Sequence, residues 1–319
     1  LRTGPGINDD ARVLIARGHT HVGKSDLRWG FGFTRAVWCV AIRRTGLVLD
    51  TRLVPASRDD REGSVSLYLV VHGSFEVHGG DPRSGQRFEG PAAFIVSEEG
   101  LEGARGERPF TFTAAGEPYA AIELHFRADD LTVSAEALPR PVELGSAVWE
   151  AAAAVTRIAR DDAAFERDVA TLFERIARTA LASRSVARRI GDDVPRTFTV
   201  LWSAVRPMIE RFYLTPTLKE LGDGAGVSLR HIDRYIEEFA TSFSVVGKGW
   251  RQTTRHLRLK MAVMLLSADD VSVAEVASAV GYRSSDAMSR AFRDAGLPPP
   301  REVQEDVRRR RASSLGPAE

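Results

Sequence analysis

The sequence predicts an α+β protein, a β-rich N-terminal half followed by an all-α region. Three observations predict it. Before about residue 130, apolar residues come in short runs broken by Gly/Pro turns. After about residue 145 they recur at helical spacing. Within the helical part, one segment repeats itself 55 residues on. A length of 319 residues suits two domains with an arm between them. Apolar residues make up 43% and charged residues 27%, which excludes wholesale disorder or a coiled-coil rod. No apolar run approaches the roughly 18 residues a membrane span needs, so no membrane partner is expected. The single cysteine, Cys39, excludes a disulfide framework and suits a reducing, cytoplasmic setting.

Strands are expected at residues 13–16, 31–34, 37–43 and 47–54. The run Ser64-Val-Ser-Leu-Tyr-Leu-Val-Val71 is β-branched and apolar, and His72-Gly73-Ser74 reads as a turn into a further strand, Phe75-Glu-Val-His78. Gly79 to Gly85 is a loop by composition. Ala92-Ala-Phe-Ile-Val96, Phe110-Thr-Phe-Thr113 and Tyr119-Ala-Ala-Ile-Glu-Leu-His-Phe126 read as three more strands. Many short strands with Gly/Pro turns suggest a sandwich or barrel. Trp149, Ala152, Val155, Ile158 and Ala159 then suggest a helix, and Phe165, Val169, Leu172, Phe173 and Ile176 form the stripe of another. Those stripes could pair with a second copy, as a homodimer, or pack on the chain's own sheet. Residues 183–196, rich in Arg and Asp and ending at Pro195, read as a linker. The basic run Arg308-Arg-Arg-Arg311 is expected after the last helix.

Gly18-His-Thr-His-Val-Gly23-Lys24-Ser25 fits the phosphate-cradling pattern G-x-x-x-x-G-K-[ST]. That chemistry needs a helix directly after the loop, so that its N-terminus faces the phosphate. The residues that follow, Asp26-Leu-Arg-Trp-Gly-Phe-Gly-Phe33, alternate aromatics with glycines and read as a strand. The match is therefore set aside. His19, His21, His72, His78 and His125 lack the order of a metal-binding set. Cys39 lies inside an apolar run and reads as core. No catalytic residue, cofactor or metal is assigned. Trp29, Phe31, Phe33, Trp38, Tyr68, Phe75, Phe94, Phe112, Tyr119 and Phe126 are candidates for a pocket wall, and most of them are expected to be core.

The internal repeat carries the most chemistry. One copy runs from Leu218 to Ile236 and the other from Val273 to Phe292. Each has a small residue, three spacers and a glycine: Gly222-x3-Gly226 and Ala277-x3-Gly281. An apolar residue follows, then a serine, then an Arg-x-apolar pair. The small residue lets two helices approach, the glycine takes the φ > 0 turn, and the serine caps the second helix. This is a helix-turn-helix, whose second helix can present a polar face to the major groove. A helix over about residues 248–266 links the copies. Leu257, Met261, Met264 and Leu265 give it an apolar stripe, and Arg251, Arg255, Arg258 and Lys260 give it basic flanks. Two readers on one such arm would meet successive major-groove segments about one DNA turn, ~34 Å, apart.

Residues 198–303 resemble the AraC/XylS family of bacterial transcriptional regulators. The resemblance is carried by Leu218-x-x-Leu221, Val227-Ser228, Arg234, Arg258-Leu-x-x-Ala262-x-x-Leu-Leu266, Val273-x-Glu-Val-Ala277, Val280-Gly-Tyr282, Ser289-Arg-x-Phe292-Arg and Gly296-x-Pro-Pro299. It implies a cytoplasmic, sequence-specific binder of double-stranded promoter DNA that answers to a small-molecule effector. RNA polymerase would be a further partner of an activator. The run Leu69-Val-Val-His-Gly-Ser-Phe-Glu-Val-His-Gly-Gly80 is similar to the core of the cupin-like barrel that often precedes the family's DNA-binding domain. The expected division is then 1–140 for a cupin-like sensor domain, 141–197 for a helical arm and linker, 198–311 for the tandem helix-turn-helix domain, and 312–319 for a tail. Gly222 departs from the family's usual alanine, which is expected to loosen the first unit by up to ~1 kcal/mol.

In the first unit the expected DNA contacts are Ser228 as cap, then Arg230, His231, Asp233 and Arg234. Arginine can donate bidentately to guanine, and aspartate can accept from cytosine N4. In the second unit they are Ser284, Ser285, Asp286, Ser289 and Arg290. Arg258, on the linking helix, completes the set. Each could instead lie on a solvated helix face. Two other functions stay open at this level. One is a metal- or nucleotide-binding enzyme built on the N-terminal barrel. The other is an interaction module without specific DNA readout, favoured by a Phe292–Gly296 stretch one residue shorter than the family's pattern and by Glu302-Val303 where the family commonly has Tyr-Arg. Charge is divided unevenly. Residues 1–197 hold 26 basic against 28 acidic side chains, and residues 198–311 hold 18 against 14. Directed arginine contacts are therefore expected to matter more than bulk charge.

Overall fold

The computed structural model describes residues 12–49, 64–78, 85–97, 111–133, 139–243 and 249–314. The β-rich half and the all-α region expected from the sequence are both present. The first holds β1 (Leu14–Val22), β2 (Ser25–Phe33), β3 (Trp38–Thr45), β4 (Ser64–His78), β5 (Gln86–Glu89), β6 (Ala92–Ser97), β7 (Thr111–Arg127) and β8 (Arg140–Val142). They form one antiparallel sheet in the order β1-β2-β3-β7-β4-β6-β8, with β5 also paired to β4. The helices are α1 (Ser146–Thr156), α2 (Asp162–Ala177), α3 (Arg184–Ile190), α4 (Arg196–Glu210), α5 (Leu218–Ala225), α6 (Leu229–Phe243), α7 (Trp250–Leu265), α8 (Val273–Ala279), α9 (Ser285–Asp294) and α10 (Pro300–Ser314).

Several expectations are corrected. The turn at His72-Gly73-Ser74 does not end a strand. β4 runs through it with register shifts at Val70/His72 and His72/Ser74, and its partner β7 runs through Gly116 at the same level. Gly73 (φ +82°) and Gly116 (φ +125°) face each other there: a Cβ on Gly116 would lie 2.6 Å from the Gly73 Cα. The two glycines sit where the pairing is interrupted, between His72 opposite Ala120 and Ser74 opposite Ala115, and let both strands bend before the ladder resumes. The linker read over 183–196 contains α3, which buries Val186 and Ile190 one helical turn apart. The run 308–311 lies inside α10 and not after it. The strand read at 47–54 is described only to Leu49, which bridges to Thr113. The loop at residues 79–84 and the start of the strand at Phe110 fall outside the described residues.

The alternation of β4 divides the sheet into two faces. Val65, Leu67, Leu69 and Val71 join Ile122, Leu124 and Phe126 of β7 under α1 and α2. The stripe of α2, Phe165, Val169, Leu172, Phe173 and Ile176, is fully buried there. The apolar stripes of both helices are thus covered by the chain's own sheet. The opposite face holds Tyr68, Val70, Phe94, Tyr119 and Ala121.

The β1–β2 hairpin has a third neighbour. Leu27, Trp29, Phe31 and Phe33 share one core with α4 and the helices beyond it. Of the two readings open for the aromatics at 29, 31 and 33, the structure gives core. The glycines between them face the other way, toward α2. A Cβ on Gly30 would stand 2.3 Å from Phe165 Cζ, and one on Gly32 would stand 2.4 Å from Val169 Cγ1. Aromatic-glycine alternation is what a strand needs when one face meets a bulky core and the other a helix at close range. Two tryptophans lace the seam: Trp29 Nε1 donates to the Ile209 carbonyl at 2.9 Å, and Trp202 Nε1 to the Ile15 carbonyl at 2.8 Å. Asp162 of α2 accepts from Arg17 of β1 at 2.6 Å and from Arg206 of α4. Burial opposes the Asp162 charge, but the hydrogen bonds from the two arginines outweigh it and hold its pKa below the ordinary value.

Candidate nucleic-acid interface

The two repeat copies fold as α5-turn-α6 and α8-turn-α9. Each first helix opens with a capping box. Thr217 accepts from the Glu220 amide while Glu220 accepts from the Thr217 amide, and Ser272 with Glu275 does the same. The signal was in the sequence as [ST]-x-x-E ahead of an apolar residue. Backbone hydrogen bonds from Thr217 and Ser272, then their hydroxyls, hold both glutamates below the usual carboxylate range. A depressed carboxylate pKa adds stability above the unfolded value and loses it as pH falls through the folded one. A double variant Glu220→Gln, Glu275→Gln is therefore expected to flatten the acid limb of helix unfolding, followed by circular dichroism from pH 6 to pH 2. An unchanged limb would count against both caps.

The glycines turn the chain as expected. Gly226 has φ +68° and Gly281 φ +79°, and the amides of Val227 and Tyr282 donate to the carbonyls of Gly222 and Ala277. Gly222 is buried, and a Cβ there would lie 3.0 Å from the Val227 carbonyl oxygen. The first unit is closed tightly around this glycine, and an alanine would have to push the turn aside.

Past the turn the spacing changes. The first helices match at 55 residues: Thr217 with Ser272, Leu221 with Val276, Gly226 with Gly281. The second helices match at 56: Ser228 with Ser284, Ile232 with Met288, Ile236 with Phe292, Arg234 with Arg290. The extra residue is in the second turn, Tyr282-Arg283. A single offset does not describe the repeat.

Ser228 Oγ accepts from the His231 amide at 3.4 Å and lies 3.1 Å from His231 Nδ1. Ser284 Oγ accepts from the Ala287 amide at 3.1 Å. Ile232 and Ile236 point inward on α6, as Met288 and Phe292 do on α9. Arg230, His231, Asp233 and Arg234 are exposed together on the outer side of α6, with Arg234 Nε 3.6 Å from Glu238. On α9, Asp286 and Arg290 are exposed and Ser285 and Ser289 half-buried, Ser289 donating to the Ser285 carbonyl at 2.9 Å. Asp286, Ser289 and Arg290 line an open cleft with Arg293, Leu297 and Pro299.

Arg258 is held apart from this set. Its Nη2 donates to the Leu214 carbonyl at 2.9 Å, its Nε is buried without a partner, and burial lowers its pKa. Arg255, one turn earlier on α7, donates to the Ala291 carbonyl of α9 at 3.1 Å. Trp250 Nε1 donates to Pro216 at 2.9 Å. α7 thus braces the approach to the first unit with Trp250 and Arg258 and the second unit with Arg255.

The residues matching the phosphate-loop pattern form the end of the β1–β2 hairpin. Val22 pairs with Ser25, Gly23 takes φ +58°, and Lys24 Nζ lies 3.4 Å from Asp270. A strand, not a helix, follows Ser25. Cys39 is buried, and desolvation pushes its thiol up to about 12. Sequence reasoning missed a buried polar group on the sheet. Ser66 Oγ lies 3.2 Å from Glu123 Oε1 and 3.3 Å from His125 Nδ1, and Trp38 stacks on His125 with ring centroids 3.7 Å apart. Only strand pairing brings these residues together, Trp38 and Ser66 both standing opposite His125.

No family model matches the chain. Over 123 residues it is 34% identical to the HTH-type transcriptional regulator GlxA of Rhizobium meliloti (strain 1021), a match that takes in 38% of this chain and 35% of that protein. The chain thus spans about a third of the length of that curated relative. Among solved structures, a DNA-binding transcriptional dual regulator from Escherichia coli K-12 aligns with 36% of this chain and 96% of its own, at 20% identity and a TM-score of 0.29. ToxT from Vibrio cholerae O395 aligns with 92% of this chain and 97% of its own, at 6% identity and a TM-score of 0.36. The cupin domain of Schizosaccharomyces pombe Cnp3 aligns with 32% of this chain and 64% of its own, at 13% identity and a TM-score of 0.21. Superpositions this loose say nothing about what the chain binds. The fold and the paired units define the class: an antiparallel β domain joined to a tandem helix-turn-helix domain. Within that class, the chain is similar to HTH-type transcriptional regulators, in keeping with the AraC/XylS resemblance of its motifs.

Proposed function

We propose that the protein is a sequence-specific, DNA-binding transcriptional regulator with no catalytic role, and that its β domain receives a small-molecule effector. The carrying observation is the equivalence of two capped helices. Arg230, Asp233 and Arg234 on α6 correspond to Asp286, Ser289 and Arg290 on α9, and each trio lies on the side away from its buried apolar residues. The N-terminal part of such a helix is where base edges are met, and Ser228 and Ser284 cap it. Arg234 and Arg290 donate to guanines, and Asp233 accepts from cytosine N4. Double-stranded promoter DNA is the partner; RNA polymerase joins it if the protein activates. Arg258 belongs to the brace and not to the reading faces.

Band-shift titration against promoter fragments tests this. Arg234→Ala and Arg290→Ala are each expected to weaken specific binding by about 5- to 150-fold, the ~1–3 kcal/mol of a bidentate base contact. Arg258→Ala is expected to lower folding stability instead. If both reading-face variants bind the same fragments with wild-type affinity and salt slope, the faces are misassigned.

A further inference from the structure

We infer that Leu229 reads the methyl group of a thymine where α6 enters the major groove. This rests on the DNA-binding reading above. Leu229 is 51% exposed, and only it and Tyr213 are large exposed hydrophobics among the described residues. It is the first residue of α6, directly after the Ser228 cap and directly before Arg230. One helical turn on stands Asp233, so the two side chains share an edge of the helix.

The unit's own packing does not ask for leucine here. Ile232 and Ile236 already fill the inward face of α6. In the second unit the equivalent position is Ser285, whose carbonyl receives Ser289, and that unit closes without an apolar side chain there. Leu229, half exposed at the start of one reading helix beside Arg230 and Asp233, and with no apolar counterpart on the other, is placed to meet an apolar group in the groove. On the major-groove edges of the four bases, the thymine C5-methyl is that group. The two readers would then differ in kind. The first combines a methyl contact with charged hydrogen bonding. The second, with Ser285, Asp286, Ser289 and Arg290, is polar throughout.

The test uses the full chain and a fragment selected from random DNA. Each thymine in the α6 half of the site is replaced in turn by deoxyuridine, which keeps the hydrogen-bonding edge and lacks the methyl. One replacement is expected to weaken wild-type binding about 3- to 5-fold, the effect of losing one buried methyl. Leu229→Ala is expected to weaken binding to the thymine fragment by a similar factor, to be indifferent to that same replacement, and to keep the wild-type salt slope. A specific fragment to which wild-type binding is indifferent at every deoxyuridine overturns this inference alone. So does a Leu229→Ala variant that still senses the methyl. Failure to select any specific fragment overturns the DNA-binding reading, and this inference with it.

Discussion

Replacing Gly281 with alanine is expected to cost about 3 kcal/mol or more of folding stability, against about 1 kcal/mol for the same change at Gly226. Both glycines end the first helix of a unit at positive φ, so both substitutions meet the left-handed penalty of an L side chain. Their surroundings differ. A Cβ on Gly226 meets nothing within 4 Å. One on Gly281 would lie 2.9 Å from the Cα and carbonyl oxygen of Tyr213 and 3.0 Å from the Phe212 oxygen. Those are backbone atoms of the segment after α4, and they cannot swing aside as a side chain could. Urea unfolding of the two variants beside wild type measures the difference. Equal losses would mean that the second turn does not press on residues 212–213.

The second large effect is expected at Trp29. Its ring is 3% exposed, packs on Phe212 with centroids 5.0 Å apart, and holds the Ile209 carbonyl. Trp29→Ala is expected to cost about 3–5 kcal/mol through the cavity it leaves. Trp29→Phe retains most of the ring and gives up the hydrogen bond, with an expected loss of about 1–3 kcal/mol. The order of the two losses in thermal or urea unfolding is the check. A harmless Trp29→Ala would show that the hairpin does not share a core with α4.

The helix-turn-helix units were legible because their determinants are local. A glycine, a capping serine and apolar residues at i and i+4 lie within about twenty residues of chain, and Ile232, Ile236, Met288 and Phe292 are buried as that spacing asks. What the sequence obscured depends on pairing across long distances. Gly73 looks like the end of a strand until Gly116 is found opposite it. Arg258 looks like a basic flank of a helix until the Leu214 carbonyl, 44 residues away, is found within its reach. The extra residue of the second turn was hidden because one offset fitted the conspicuous glycines. The buried group of Ser66, Glu123 and His125 spans two strands more than fifty residues apart and leaves no trace in either one alone.

The alternating strand Ser25–Phe33 bears on how such a protein can be recombined. A cut near residue 140 or 197 separates sheet from helices along the chain, but not in the interior. Trp29, Phe31 and Phe33 would stay with one piece and Trp202, Met208 and Phe212 with the other, each exposing what the other had covered. A chimera that keeps the paired units and borrows a foreign β domain would therefore need the donor's first hairpin to present matching aromatics. The exchangeable module is the helical domain together with the face of β2 on which it sits.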